Sequence, residues 1–170
     1  MVRNRLSRWG VGPRIAAVAI VYAAAAGAAT HRWPDVCRVR LLPYAVFAAV
    51  GGILLLMGVP MLIVAARSAM RAYDQDHLVT SGVFALVRHP IYAAWIVFLL
   101  PGLTLLTRSW PLLLTPLVAY AAFKLLIHRE DEYLQQRFGA AYLDYRARVN
   151  ELLPIPQSWR RESMSAKRTG

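Results

Sequence analysis

The stretch that decides the fold is LLPYAVFAAVGGILLLMGVPMLIVAA, residues 41–66, which contains no Lys, Arg, Asp or Glu. A membrane-spanning helix needs roughly 20 mainly apolar residues to cross about 30 Å of hydrocarbon. The run exceeds that length, so it can tilt in the bilayer or kink at Pro60. The sequence therefore predicts a transmembrane helix here.

Three other stretches also lack these four charged residue types, and the last of them extends to His128 if Lys124 snorkels its ammonium group to the interface. Because only Arg108 and Ser109 separate the last two runs, those runs must form a tight antiparallel hairpin. We predict an all-α polytopic membrane protein with about four spanning helices. They lie at about 15–30, 42–65, 90–107 and 109–128.

The first run has a second interpretation. Four arginines precede an Ala-rich core that has small residues near Ala28, as in a secretory signal peptide. We expect the run to be kept as a span, because the basic region is long and the downstream spans need no separate export signal.

The whole chain of 170 residues is 58% hydrophobic and 17% charged, with a net charge of +11. Disorder is excluded, because disordered chains have low hydrophobicity. Fifteen of the 20 Lys and Arg residues fall on one side of the four predicted spans and four on the other. By the positive-inside rule, both termini and the 67–88 loop are predicted to be cytoplasmic. The basicity thus reflects topology, and no nucleic-acid partner is needed to explain it.

Cysteine and histidine offer little for a metal site. The single Cys37 excludes an internal disulfide framework, and the four scattered His residues have no metal-ligand spacing. We therefore expect no metal. The sequence carries no indication of the oligomeric state.

Two predicted cytoplasmic segments hold most of the informative polar residues. In the first, Ser81-Gly82 predicts a turn and Arg88-His89-Pro90 the start of a helix, where Pro suits the first position. The free N–H groups of that first turn suit an anionic group. The alternative is that Arg88 marks the membrane interface and Tyr92 joins the aromatic belt.

The second segment is Glu130-Asp131-Glu132, three consecutive carboxylates at the predicted end of the fourth helix. Crowded carboxylates repel one another, so they need cations or solvent nearby. They either pair with Arg88, Arg129 or Arg137, or accept hydrogen bonds from a cationic or hydroxyl-bearing ligand.

An amphipathic helical segment with a break at Gly139 is predicted next, and it either lies on the membrane or caps the helices. Its apolar positions recur every three or four residues, at Leu134, Phe138, Tyr142, Tyr145 and Val149. Residues 1–156 then form a single membrane domain, and 157–170 form a polar tail that we expect to be disordered.

Together, the two segments resemble the signature of the isoprenylcysteine carboxyl methyltransferases and the related phospholipid methyltransferases. The first half is the run from Leu78 to Tyr92. The second half follows the hairpin as Glu130-Asp131, then Phe138-Gly139-Ala140-Ala141-Tyr142, Tyr145 and Pro154. The resemblance covers residues 74–156.

The resemblance implies an integral membrane methyltransferase that uses S-adenosylmethionine, with Asp76 adjacent to the cofactor site. This chain has Phe84 where Tyr is usual and Asp131 where a second Glu is common. Leu126 falls where eukaryotic relatives have the arginine that contacts the substrate, so nearby Arg129 is the substrate-binding candidate. The implied cofactor-binding residues are His77, Leu78, Val79, Phe84, His89, Pro90, Ile91, Tyr92 and Glu130.

Methyl transfer from a sulfonium is an in-line displacement, so alignment of donor and acceptor is the main requirement. A carboxylate or thiolate acceptor needs no base, whereas an amine must lose a proton, which His89, Glu130 or Asp131 would take. The acceptor expected is a lipid or small lipophilic molecule. Two other functions stay open: a non-enzymatic membrane scaffold with Arg88 and the acidic run in a structural ion pair, and a relative of the NADPH-dependent sterol reductases.

Overall fold

The structure, a computed structural model, describes residues 10–74 and 77–154, and over these ranges it is helical. One isolated antiparallel bridge joins Arg38 to Ser109. The tail at 157–170 and Asp76 lie outside the described residues. The helices are α1 (Gly12–Arg32), α2 (Pro34–Cys37), α3 (Tyr44–Asp74), α4 (Val83–Leu86), α5 (Pro90–Ala93), α6 (Leu100–Thr107), α7 (Trp110–Leu113), α8 (Thr115–Phe138) and α9 (Ala140–Arg148), with a π-helical segment at Ala94–Leu99 between α5 and α6.

Four helical stretches are long and apolar enough to cross a membrane. The second has the highest mean hydropathy, 2.5, as expected from the uncharged run that it contains. The prediction of an all-α polytopic membrane protein with four spans is confirmed. The stretches are Gly12–Arg32, Tyr44–Tyr73, Pro90–Thr107 and Trp110–Phe138.

Two helices continue beyond their predicted ends. Residues 67–74, predicted as part of a loop, belong to α3, and α8 runs ten residues past His128 to Phe138. Charged residues lower the hydropathy without breaking a helix. What ends α8 is Gly139, with φ 55°, a conformation that favours glycine. The three carboxylates therefore lie within α8 and not at its end.

The tight hairpin between the third and fourth spans is confirmed. Arg108 makes the turn with φ 52°, and Ser109 caps α7 by accepting a hydrogen bond from the N–H of Leu112 at 3.4 Å. The Ser109 hydroxyl also lies 2.6 Å from that of Thr30 in α1. The hairpin is thereby tied to the first span at this end of the bundle.

Glycines let α3 pack closely against the third span. A Cβ atom at Gly51 would lie 2.8 Å from the carbonyl oxygen of Gly102, and one at Gly58 would lie 2.7 Å from Cβ of Phe98. Small residues allow such close approach of helix backbones in membranes. This packing fixes the third span, and with it α5, against α3.

The buried core is concentrated at the end of the bundle where α1 begins and α5 begins. It joins α1, the start of the third span, the middle of α8 and the chain after α9. The polar residues discussed below lie beside this core. Its members are Val11, Ile15, Ala19, Val87, Ala93, Ile96, Ala119, Ala122, Phe123, Ile127 and Leu152.

Candidate functional site

Arg88 and His89 lie in the short linker between α4 and α5, and both are buried, at 6% and 4% exposure. Their backbone N–H groups donate to the carbonyl oxygens of Asn150 (2.6 Å) and Glu151 (3.0 Å). Pro90 begins α5 as predicted, so its missing N–H costs no hydrogen bond. The chain after α9 therefore fixes the position of this linker.

The guanidinium of Arg88 is held by two carboxylates. Its Nη2 lies 3.2 Å from Oδ2 of Asp131 and 3.3 Å from Oε1 of Glu151. The other oxygen of Glu151 accepts from the ammonium of Lys124 at 2.6 Å. A buried charge is tolerated only when it is paired in this way. The prediction that the acidic run pairs with Arg88 is confirmed for Asp131.

His89 lies between two of the three carboxylates of the acidic run. Its Nε2 lies 3.1 Å from Oδ1 of Asp131 and 3.4 Å from Nε of Arg88. One nitrogen cannot donate to the first and accept from the second at once, and the shorter contact with a carboxylate assigns the proton to Nε2. In the neutral ring, Nδ1 is then a proton acceptor, 3.8 Å from Oε1 of Glu130.

Glu130 is held through one of its two oxygens. Oε2 accepts from the hydroxyl of Tyr92 at 2.8 Å and from the backbone N–H of Val11 at 3.3 Å. Among the described residues, Oε1 accepts no hydrogen bond, and it lies 3.8 Å from Nδ1 of His89. The rings of His89, Tyr92 and Phe123 pack with centroids 5.4 to 5.9 Å apart, which fixes both side chains beside the carboxylate.

Helix α9 caps the site with two buried tyrosines. The hydroxyl of Tyr142 donates to Oδ1 of Asp131, and that of Tyr145 donates to the carbonyl oxygen of Phe84 at 2.7 Å. Burial raises the pKa of Tyr145 to about 12. Burial and the neighbouring Asp131 also raise the pKa of Tyr142 above its usual value. Both tyrosines are therefore neutral hydrogen-bond donors at physiological pH.

The connected side chains carry a small net negative charge. Two cations, Arg88 and Lys124, face three carboxylates, Glu130, Asp131 and Glu151, which leaves one negative charge when His89 is neutral. Within residues 10–74 and 77–154, no group of three or more His, Cys, Asp or Glu is arranged to hold a metal ion. The charge balance suits a cationic ligand.

The structure brings together part of the predicted cofactor site. His89, Tyr92 and Glu130 are in direct contact, Pro90 is buried next to His89, Ile91 is half-buried in the same turn, and Phe84 takes part through its backbone. The loop before α4 is less involved. His77 is exposed, and Leu78 and Val79 are half-buried.

Two predicted parts of the site are not joined to these contacts. No hydrogen bond among the described residues connects segment 77–79 to the Arg88–Asp131 pair; the N–H of His77 instead donates to Ala72. Arg129, the substrate-binding candidate, is exposed on α8. The roles of these residues stay predictions.

Sequence reasoning missed several members of the site. Asp131 was expected only as an ion-pair partner or an alternative proton acceptor, yet it contacts Arg88, His89 and Tyr142. Tyr142 was predicted to lie on the apolar stripe and in the family signature, and these two features were the sequence signals for its place in the site. Glu151 and Val11 are 63 and 119 residues from their partners, and no local pattern identifies such contacts.

Comparison with known proteins places this geometry in a family. The sequence model of the isoprenylcysteine carboxyl methyltransferase family matches residues 44–136. The protein-S-isoprenylcysteine O-methyltransferase of Schizosaccharomyces pombe is 37% identical over 83 residues, 48% of this chain and 35% of the relative. A probable protein-S-isoprenylcysteine O-methyltransferase of Oryza sativa subsp. indica is 32% identical over 82 residues, 48% of this chain and 43% of the relative.

The Xenopus laevis protein-S-isoprenylcysteine O-methyltransferase is 34% identical over 82 residues, 48% of this chain and 28% of the relative. The matched segment thus spans less than half the length of each of these curated relatives. No solved structure matches the chain. The family match covers more than half of the chain and contains Arg88, His89, Tyr92, Glu130 and Asp131, so the chain belongs to the isoprenylcysteine carboxyl methyltransferase family.

Proposed function

We propose that this protein transfers a methyl group from S-adenosylmethionine to a lipophilic or membrane-partitioning acceptor at the cytoplasmic membrane interface. The observation that carries the proposal is the Tyr92–Glu130–His89 contact. It lies at the end of the membrane hairpin, inside the segment that matches the family. Family membership supports methyl transfer, and the contacts among these three side chains support their part in it.

The site fits the chemistry of this cofactor. S-adenosylmethionine carries a sulfonium, an ammonium and ribose hydroxyls, and each is stabilised by a carboxylate oxygen. Oε1 of Glu130 is such an oxygen, and Glu130 is partly exposed while its other oxygen is already engaged. The single net negative charge of the connected side chains favours the same ligand class.

When bound, the cofactor supplies an electrophilic methyl carbon. Its carbon–sulfur bond would break as the acceptor atom bonded to that carbon, and S-adenosylhomocysteine would leave as the neutral thioether. The residues of this chain supply alignment, because buried and mutually hydrogen-bonded side chains hold a fixed geometry. For an amine acceptor, Nδ1 of His89 and Oε1 of Glu130 are the groups placed to take the released proton.

The direction of approach follows from where the site lies. It adjoins the start of the third span, so a lipophilic acceptor reaches it sideways between helices while the polar cofactor arrives from water. With the termini in the cytoplasm, as the charge distribution predicts, the site faces the cytosolic side. The relatives' names specify an O-methyltransferase of S-isoprenylcysteine, so an isoprenylcysteine carboxylate is the first acceptor to test.

The test is calorimetric titration of the detergent-purified, folded protein with S-adenosylmethionine and S-adenosylhomocysteine. We expect binding, weakened at least tenfold by Glu130→Gln and also weakened by Tyr92→Phe. Glu132→Gln is the matched control, because it neutralises an exposed carboxylate two residues away on the same helix. Absence of binding up to millimolar ligand would overturn the proposal. Labelled methyl transfer into membrane lipids and isoprenylcysteine analogues then identifies the acceptor.

A purely structural role is the second candidate, because the buried Arg88–Asp131 pair is the ion pair that a scaffold would use. Exchanging the two charges in the variant Arg88→Asp with Asp131→Arg separates the candidates. A scaffold regains stability and has no ligand dependence. A methyltransferase remains inactive, because His89 loses the carboxylate that holds its Nε2.

A further inference from the structure

The chain before α1 reaches the site from outside the segment that defines the family. Gly10, Val11 and Gly12 precede the family match by more than 30 residues, yet they contact Tyr92 and Glu130. The side chain of Val11 is 1% exposed and belongs to the core cluster that also contains Phe123. This segment is therefore anchored beside the site and does not merely pass near it.

The Val11 amide and the Tyr92 hydroxyl engage the same oxygen of Glu130. The N–H of Val11 donates to Oε2 at 3.3 Å, and the hydroxyl of Tyr92 donates to the same atom at 2.8 Å. A carboxylate oxygen that accepts two such hydrogen bonds has little capacity left for a ligand. Among the described residues, no donor binds the other oxygen, Oε1, and its lone pairs are left for a ligand.

Gly10 allows this approach in two ways. Its φ is 54°, in the left-handed region that favours glycine. A Cβ atom at this position would overlap Oε2 of Glu130 and would lie 3.2 Å from the hydroxyl oxygen of Tyr92. At Gly12, by contrast, a Cβ would make ordinary contacts of 3.7 Å and 3.8 Å with Tyr92. A side chain at position 10 would therefore displace the Glu130 carboxylate, whereas one at position 12 would not.

We propose that Gly10 and Val11 form a wall of the cofactor site. In this wall, the Val11 amide and the bare backbone of Gly10 hold Glu130 so that its Oε1 faces the cationic or hydroxyl-bearing part of the ligand. The inference rests on the proposed function, because the ligand is S-adenosylmethionine. Gly10 and Val11 are positioning residues: they act on the ligand through Glu130.

The experiment measures the Kd for S-adenosylhomocysteine in Gly10→Ala, Glu130→Gln and the double variant, using the full chain in detergent. We expect Gly10→Ala to raise the Kd at least tenfold, because the new methyl group displaces the carboxylate. We expect the double variant to bind no more weakly than Glu130→Gln, because both changes act on one carboxylate. A purely structural effect of Gly10→Ala would instead add to that of Glu130→Gln.

Two glycines serve as matched controls. Gly139 has nearly the same φ, 55°, but among the described residues no atom beyond its chain neighbours lies within 4 Å of a Cβ placed there. Gly139→Ala therefore imposes the backbone strain without the overlap, and we expect a lower Tm with an unchanged Kd. Gly12→Ala adds a methyl group in the same segment without overlap, and we expect a Kd within twofold of the unaltered protein.

The outcomes separate the inference from the function on which it rests. If the unaltered protein binds no S-adenosylhomocysteine, both fall. If it binds, and Glu130→Gln weakens binding while Gly10→Ala does not, only the inference is overturned. Should Gly10→Ala fail to fold, amide hydrogen exchange of Gly10 and Val11 in the unaltered protein decides. We expect the ligand to slow this exchange, and unchanged exchange overturns the proposed wall.

Discussion

The two ends of the helix bundle treat their charges differently. At the site end, Arg88 and Asp131 lie 3.2 Å apart with side chains only 4% and 7% exposed. At the opposite end, Arg40 and Asp35 lie closer, at 2.7 Å, but their side chains are 67% and 86% exposed. Exposed pairs contribute little, because solvent screens them and their side chains lose entropy on pairing. Loss of the longer Arg88–Asp131 pair is therefore expected to reduce stability more than loss of the Arg40–Asp35 pair.

The opposite end also holds its cations without buried carboxylates. Arg108 donates from Nε to the carbonyl oxygen of Val39 at 3.0 Å and from Nη2 to that of Leu42 at 3.2 Å. A cavity of about 520 Å³ lies beside it, lined by Arg38, Arg40, Tyr44, Leu106, Thr107 and Arg108. Backbone carbonyls, solvent and the exposed carboxylate of Asp35 satisfy these cations, whereas the site end depends on buried side-chain partners. We therefore expect the loss of one positive charge to destabilise the protein more at the site end than at the opposite end.

The largest effect is expected from neutralising Arg88. Arg88→Gln leaves Asp131 and part of Glu151 without their cation, and breaking a buried pair in this way costs about 3–5 kcal/mol. Arg38→Gln, an exposed arginine at the opposite end, is the control and should change stability by less than about 0.5 kcal/mol. SDS titration of the unfolding free energy in mixed micelles measures both. Equal losses in the two variants would contradict the comparison.

A smaller effect is expected from alkaline pH. The pKa of Tyr145 is raised from 10.0 to about 12, so above pH 10 the unfolded chain loses this proton while the folded chain keeps it. Stability therefore falls as pH rises through this window, on the order of 1 kcal/mol by pH 11 for Tyr145. Tyr142, whose pKa is also raised, adds to the effect.

Thermal unfolding between pH 8 and pH 11.5 measures this slope. Tyr145→Phe should make the slope shallower, whereas Tyr44→Phe, at an exposed tyrosine of the opposite end, should leave it unchanged. If both variants keep the slope of the unaltered protein, Tyr145 does not titrate as its burial requires.

The smallest effect is expected from the exposed pairs. Lys124 is 46% exposed and pairs with Glu151 at the site end, while Arg40 pairs with Asp35 at the opposite end. Lys124→Gln and Arg40→Gln should each cost less than about 1 kcal/mol in the same SDS titration. A cost above about 2 kcal/mol for Lys124→Gln alone would mean that Glu151 transmits the loss to Arg88, and Lys124 would then belong with the buried charges.

The sequence predicted the spans because a bilayer imposes a length and an absence of charge that are visible locally. It missed the extension of α8 to Phe138, because the polar residues after His128 remove the hydropathy signal while the helix continues to Gly139. Within the candidate site, Glu130, His89 and Tyr92 were predicted through the family resemblance, and the structure brings them together. Val11 and Glu151 were not predicted, because their contacts depend on how α1 and the chain after α9 pack against the hairpin.

The π-helical segment Ala94–Leu99 has a consequence for where the third span tolerates a deletion. It lies between the turn that carries Tyr92 and helix α6, which packs on α3. A π-helical turn holds one residue more than an α-helical turn, and each α-helical residue advances about 100° around the axis. The π-helical turn absorbs this extra residue, so deleting one residue between 94 and 99 would convert it into an α-helical turn and leave Tyr92 facing Glu130. Deleting one residue from the continuous α-helix α6 would instead rotate Tyr92 by about 100° relative to the rest of the span.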